Sequence, residues 1–265
     1  MSGPSRLVLG AQHTLKDIEN IFSGGVWPKL ASWSPEDSLP LLLSDLPTNG
    51  QYKSIFPQVS ARMMPISHGN RDASETYESV AYFIRHDSTA REFLFFGDVE
   101  PDSVSSKPQN GSVWRAAAEK IPHVLDTVFI ECSWPSGRND DQLYGHLSPE
   151  HLSIELTTLA TEVIKFRTRT ETKSDFGSDD EATRSRKRQR RESISPVSLR
   201  GALSGLRVFV IHCKDDLQNK QDGLIRQTIA AEVRSLVEAQ DLGLEVIAVE
   251  PGIRICMCTS HISSI

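Results

Sequence analysis

One ten-residue run, Phe93-Leu-Phe-Phe-Gly-Asp-Val-Glu-Pro-Asp102, constrains this chain more than any other. Its four leading apolar residues do not alternate with polar ones, which predicts a strand buried on both faces. Gly97 stops the strand and leaves Asp98 at its end, where open α/β sheets place their chemistry. Two further apolar runs end in histidine, Met63-Met-Pro-Ile-Ser-His68 and Leu206-Arg-Val-Phe-Val-Ile-His212. Two imidazoles and a carboxylate, each ending its own strand, suit zinc or a comparable divalent ion. The same residues also suit plainer work. A strand-end histidine is commonly a hydrogen-bonded structural residue, and a strand-end aspartate commonly caps the next helix.

The 265 residues can bury one large core or two modest ones, and a composition of 38% hydrophobic and 24% charged residues fits an ordinary globular chain. A net charge of −6 argues against a general nucleic-acid binder. No run of about 18 apolar residues occurs, so no membrane span is expected. Met1-Ser-Gly-Pro-Ser5 does not form a signal peptide. The four cysteines lack paired spacing, and Cys132 and Cys213 fall in apolar strands. They read as reduced core residues of an intracellular, cytoplasmic protein.

Along the chain, Thr14 is expected to cap a short amphipathic helix over 14–22, with Leu15, Ile18, Ile21 and Phe22 as its apolar stripe. Residues 31–50, rich in Ser, Pro and Asp, are expected to be mostly loop. Strands are expected at 51–56, 59–66, 80–85, 92–96, 125–131, 206–212 and 244–249, the third and fourth joined as a hairpin with His86 in its polar loop. Short and longer helices are expected over 114–120 and 222–240, the latter capped by Asp222. In Tyr144-Gly-His146-Leu-Ser-Pro-Glu150, Ser148 suits an N-cap and Pro149 the first helical position. Leu152, Leu156, Leu159, Val163 and Phe166 then keep a helical period. His146 therefore lies just before a helix N-terminus, either facing an anion there or held as an ordinary loop histidine.

Composition breaks over about 168–200, where an acidic stretch is followed by Arg184-Ser-Arg-Lys-Arg-Gln-Arg-Arg191. With almost no apolar content it is expected to be a disordered insertion in an otherwise single domain spanning 1–265. The basic run suits an import receptor, which would add a nuclear address, or simply a solvated loop.

Val26-Trp-Pro, Ser67-His68-Gly69, Phe95-Phe-Gly-Asp98-Val-Glu-Pro-Asp102, Phe129-Ile-Glu-Cys-Ser-Trp-Pro135, Tyr144-Gly-His146-Leu-Ser-Pro-Glu-His-Leu152 and Val210-Ile-His212 stand together in one order. In this set the chain resembles the fungal class II (low-affinity) 3′,5′-cyclic-AMP phosphodiesterases of the metallo-β-lactamase superfamily. The resemblance implies an α/β fold, the metallo-β-lactamase-like αββα sandwich, carrying two divalent metal ions, most simply zinc. It implies hydrolysis of cyclic AMP to 5′-AMP. It makes His68 a ligand of the first metal, Asp98 the carboxylate bridging both, His212 a ligand of the second, and His146 the histidine beyond the metals that meets the phosphate. The family's His-x-His-x-Asp-His run is absent from this sequence, and Ala11-Gln-His13-Thr-Leu15 does not replace it. The expectation is thus a sandwich incomplete at its N-terminus, with too few ligands to hold two cations well and weak or no activity. The alternatives are a non-catalytic remnant acting as an interaction module through its basic segment, and a tRNA 3′-processing nuclease of the same superfamily.

Overall fold

The computed structural model describes residues 5–70, 76–174, 199–214 and 224–255. The chain runs β1 (Arg6–Gly10), α1 (Gln12–Ile21), β2 (Ala31–Ser32), β3 (Leu41–Asp45), β4 (Lys53–Phe56), β5 (Val59–Asn70), β6 (Thr76–His86), β7 (Glu92–Phe96), α2 (Asn110–Ala118), β8 (Leu125–Glu131), α3 (Pro149–Ser174), β9 (Arg207–Ile211), α4 (Leu224–Ala239) and β10 (Glu245–Ala248).

Two sheets result. The smaller one has the order β1-β3-β2 and is all parallel, and the larger has the order β10-β9-β8-β7-β6-β5-β4. In the larger sheet β7 to β10 are mutually parallel, and β4 to β7 pair antiparallel. Helices α2, α3 and α4 each connect neighbouring parallel strands, as parallel pairing requires. Their apolar faces meet one side of the large sheet in the main core, which includes Phe83, Leu94, Val128 and Val208 from strands and Trp114, Leu156 and Val233 from helices. On the other side Met63, Val80 and Tyr82 pack against Leu9, Ala11 and Leu46 of the small sheet and its loops. The outer face of the small sheet is covered by α1, with Leu15 and Ile18 on Ala31, Leu41 and Leu43. Helix, sheet, sheet and helices therefore form four layers, the expected αββα sandwich.

Several expectations need correction. Residues 31–50 hold β2 and β3 rather than loop, because Leu41-Leu-Leu43 pairs in register with Arg6-Leu-Val8 of β1, a strand the sequence reading does not anticipate. Thr14 lies inside α1, whose N-cap is Ala11 in an extended conformation without a side-chain cap. His68 lies within β5, next to a register shift between Ser67 and Asn70, rather than beyond the strand's end. His86 closes β6 instead of sitting in the hairpin loop. Helix α3 continues through Ser174, so 168–174 belong to it and not to an insertion. The basic run Arg184–Arg191, Asp222, Cys256, Cys258 and His261 lie outside the described residues.

Beyond Asp98, the opening motif supplies two carboxylates with structural work, Asp102 and Glu100. Asp102 Oδ1 accepts the Gln109 and Asn110 N–H groups at 2.9 Å each, and Oδ2 accepts Gly111 N–H at 2.8 Å. It thereby satisfies the orphan donors at the start of α2 from outside the helix. Its own N–H donates to Glu155 of α3 at 2.7 Å, and the buried Trp114 indole donates to the same carboxylate at 2.6 Å. Burial pushes the Glu155 carboxyl above the usual range despite these donors. Glu100, also buried, ties back to β5 through its N–H to Ser67 carbonyl at 2.9 Å and its carboxylate to Ser67 Oγ.

Candidate metal and phosphate site

Three adjacent parallel strands carry an ionisable group at their carboxyl ends: Asp98 after β7, Glu131 at the end of β8 and His212 after β9. His68 reaches the same edge from β5, because β6 runs back antiparallel from that edge. The β8 side of the edge is fixed by backbone. Cys132 N–H donates to Ile211 carbonyl at 3.1 Å, Lys214 N–H to Ser133 carbonyl at 3.0 Å, and Ser133 N–H to Leu147 carbonyl at 3.0 Å. The last of these draws the Tyr144–Leu147 loop over the ends of the strands.

Asp98 lies between the two strand histidines. Its Oδ1 is 3.1 Å from His212 Nδ1 and its Oδ2 is 3.8 Å from His68 Nε2, with the carboxylate half exposed. The His68 and His146 rings are 4.8 Å apart between centroids, and those of His146 and His212 are 5.2 Å apart. His68, Asp98 and His146 offer ligand atoms within 4.8 Å of one another, as do Glu131, His146 and His212. The structure thus brings together all four residues singled out from sequence, His68, Asp98, His146 and His212.

Glu131 is the residue that sequence reading misses. It sits in the quoted Phe129–Pro135 motif, and the available signal was its place ending a strand that lies between those of Asp98 and His212. Its buried carboxylate takes the Val99 N–H at 2.7 Å, the Ser133 hydroxyl at 2.6 Å, and His146 Nδ1 at 2.9 and 3.0 Å. Every donor around it points at the carboxylate, which is the usual setting for a group that orients a histidine rather than one that faces a ligand. His146 Nδ1 therefore carries a proton toward Glu131, and Nε2 is the nitrogen left for the site.

His68 is fixed in the same way by a different partner. Its Nδ1 lies 2.8 Å from Gly145 carbonyl oxygen, which can only accept, so the proton is on Nδ1 and the Nε2 lone pair faces Asp98. That contact demands glycine. Gly145 has φ +79°, and a Cβ there would lie 3.0 Å from His68 O and 3.1 Å from its Nδ1. Gly69 has φ +75° and would place a Cβ 3.2 Å from Gly145 Cα. The Ser-His-Gly and Tyr-Gly-His motifs are consequently two halves of one backbone contact. His212 adopts φ +54°, an uncommon conformation for a residue other than glycine, which turns its ring back over the strand end toward Asp98.

His68 Nε2, its tautomer fixed by Gly145, together with the His212 imidazole and the half-exposed Asp98 carboxylate, fits a borderline divalent cation such as zinc. In a chain of net charge −6, such a cation would be the positive group able to hold an anion at this edge. Cys132, beside the site, is buried, and burial together with neighbouring negative groups pushes its thiol well up, so it is no nucleophile.

The family model of class-II cAMP phosphodiesterases matches residues 3–252. A 3′,5′-cyclic-nucleotide phosphodiesterase of Schizosaccharomyces pombe is 33% identical over 167 residues, covering 62% of this chain and 46% of the relative. The 3′,5′-cyclic-nucleotide phosphodiesterase 1 of Saccharomyces cerevisiae is 30% identical over 243 residues, covering 90% and 55%. The crystal structure of unliganded yeast PDE1 superposes with a TM-score of 0.68 at 28% identity, covering 93% of this chain and 58% of that one. The chain spans about half the length of the curated relatives it matches. With the match running through every strand that carries a site residue, the chain belongs to the class-II cAMP phosphodiesterase family.

Proposed function

We propose that this chain hydrolyses a 3′,5′-cyclic nucleotide, cyclic AMP to 5′-AMP, at the edge formed by β5, β7, β8 and β9. The observation that carries it is the position of the Asp98 carboxylate between His68 Nε2 and His212 Nδ1, with the Glu131-oriented His146 alongside. His68, Asp98 and His212 are the residues to hold divalent metal, zinc in this proposal. When bound, such ions lower the pKa of water and stabilise charge on phosphorus oxygens.

The remaining work belongs to the chain. In the reaction a water oxygen forms a bond to phosphorus, the P–O3′ bond breaks, and O3′ must gain a proton. His146 is placed to deliver that proton from Nε2, since Nδ1 is taken by Glu131. The buried Glu131 carboxylate holds the ring in one orientation and balances its positive charge when both nitrogens are protonated. Gly145 and Gly69 keep the His68 ring in register with the pair.

His68, Asp98 and His212 are few donors for two cations, so turnover is expected to be slow. The test is formation of 5′-AMP from cyclic AMP with zinc present, followed by chromatography. The expected result is slow, zinc-dependent formation that disappears in Asp98→Ala. Formation that ignores zinc, survives Asp98→Ala, or does not occur would overturn the proposal.

A further inference from the structure

Tyr144 is an aromatic ring in an unusual position. It is 68% exposed, and its backbone is in the left-handed region at φ +54°. Asn or Gly would suit that backbone better, and no core receives the ring. The ring is nevertheless braced. It stands edge-on to Trp134 with centroids 6.4 Å apart, and the Arg138 guanidinium lies 5.8 Å from its centroid. Arg138 itself stacks 3.6 Å from the Trp134 centroid and donates through Nε to Gln142 carbonyl at 2.7 Å. Trp134 Nε1–H donates to Leu143 carbonyl at 2.8 Å, so the platform is tied at both ends. On the site side the Trp134 ring is 6.4 Å from the His146 ring. A firmly supported aromatic face thus stands in solvent one residue from Gly145 and two from His146.

Resting on the phosphodiester reading above, we infer that Tyr144, braced by Trp134 and Arg138, is the wall on which the base of the nucleotide stacks. A phosphate held near His146 leaves the nucleoside projecting from the strand edge. A flat apolar base in water gains by covering an exposed ring, and the gain is larger for a purine than for a pyrimidine because more face is covered. The same stacking explains why a bulky residue is kept at a backbone conformation that disfavours it. Tyr144 acts here on binding and base preference, not on the bond-breaking step.

The test compares two ligands that share the phosphate and differ in the base: 5′-AMP and ribose 5-phosphate, titrated calorimetrically into the full chain in zinc-containing buffer. The expected result is tighter binding of 5′-AMP, an advantage that Tyr144→Ala reduces by roughly 5- to 100-fold, the loss typical of one stacked base. Tyr144→Asn, which suits the left-handed backbone, should lose the advantage equally, and Tyr144→Phe should keep it. Ribose 5-phosphate affinity should be the same in all four proteins. An advantage that survives in Tyr144→Ala and Tyr144→Asn would overturn the assignment. So would a parallel loss of ribose 5-phosphate binding, because the residue would then only support the loop. If the wild-type chain binds neither ligand, the phosphodiester reading itself falls, and the base wall with it.

Discussion

His68 and Gly145 approach so closely that a methyl group does not fit between them, the added carbon falling 3.0 Å from the His68 carbonyl oxygen. Gly145→Ala must both strain a φ of +79° and push the Tyr144–Leu147 loop off β5. The expected cost is about 1–3 kcal/mol of stability. Thermal unfolding should show it, together with weaker zinc binding as His68 loses the acceptor that fixes its Nδ1 proton. A Gly145→Ala protein with wild-type stability and zinc affinity would show that the contact is not needed.

Glu131→Gln separates orientation from ligation. The amide replaces one acceptor by a donor that faces Val99 N–H, the Ser133 hydroxyl or His146 Nδ1–H, all donors themselves. Turnover of cyclic AMP should fall by about 10- to 100-fold while zinc content stays near wild type. Loss of the zinc together with the activity would place Glu131 among the ligands instead.

Asp102→Ala tests the remote cap of α2. Three backbone N–H groups lose their acceptor, and the expected destabilisation is about 1–2 kcal/mol, read by chemical denaturation. Turnover should be affected only as far as the fold is. A selective loss of activity at unchanged stability would give Asp102 a role at the site.

Glu155 gives a pH signature. Its folded pKa is raised by burial, so the folded state binds the proton more tightly than the unfolded chain. Its contribution to stability is fully present below the unfolded value of 4.5 and is lost as pH rises through the raised folded value. The stability of wild type relative to Glu155→Gln should therefore fall as pH rises from about the ordinary carboxyl value of 4.5. A difference that is constant, or that grows with pH, would contradict this assignment.

The fold was legible where one pattern dominated. The largely apolar runs at 92–96, 125–131 and 206–212 became β7, β8 and β9 almost residue for residue. However, β7 is not buried on both faces as expected: Glu92, Leu94 and Phe96 are buried, while Phe93 is half-buried and Phe95 is exposed on the other face. The small sheet was hidden. Arg6-Leu-Val-Leu-Gly10 is short, and Leu41-Leu-Leu43 is surrounded by Ser, Pro and Asp, so only their mutual pairing makes them strands. At the site, a histidine or aspartate ending an apolar run was visible, and these residues did converge. Glu131 was not, because its work is to receive, besides the nearby Ser133 hydroxyl, the Val99 N–H and His146 Nδ1, which only the fold brings to it. The Gly69–Gly145 approach was likewise silent, as two glycines 76 positions apart carry no periodic signal.

Zinc binding tests most directly whether His68, Asp98 and His212 form one metal-holding edge. Equilibrium dialysis of the chain against buffered zinc, with metal per protein measured by mass spectrometry, gives the answer without requiring turnover. Wild type should retain zinc at free concentrations where Asp98→Ala retains none, with a loss of affinity of about 100-fold or more on removing a ligand. Equal zinc on both proteins, or none on either, would contradict a metal site at this edge.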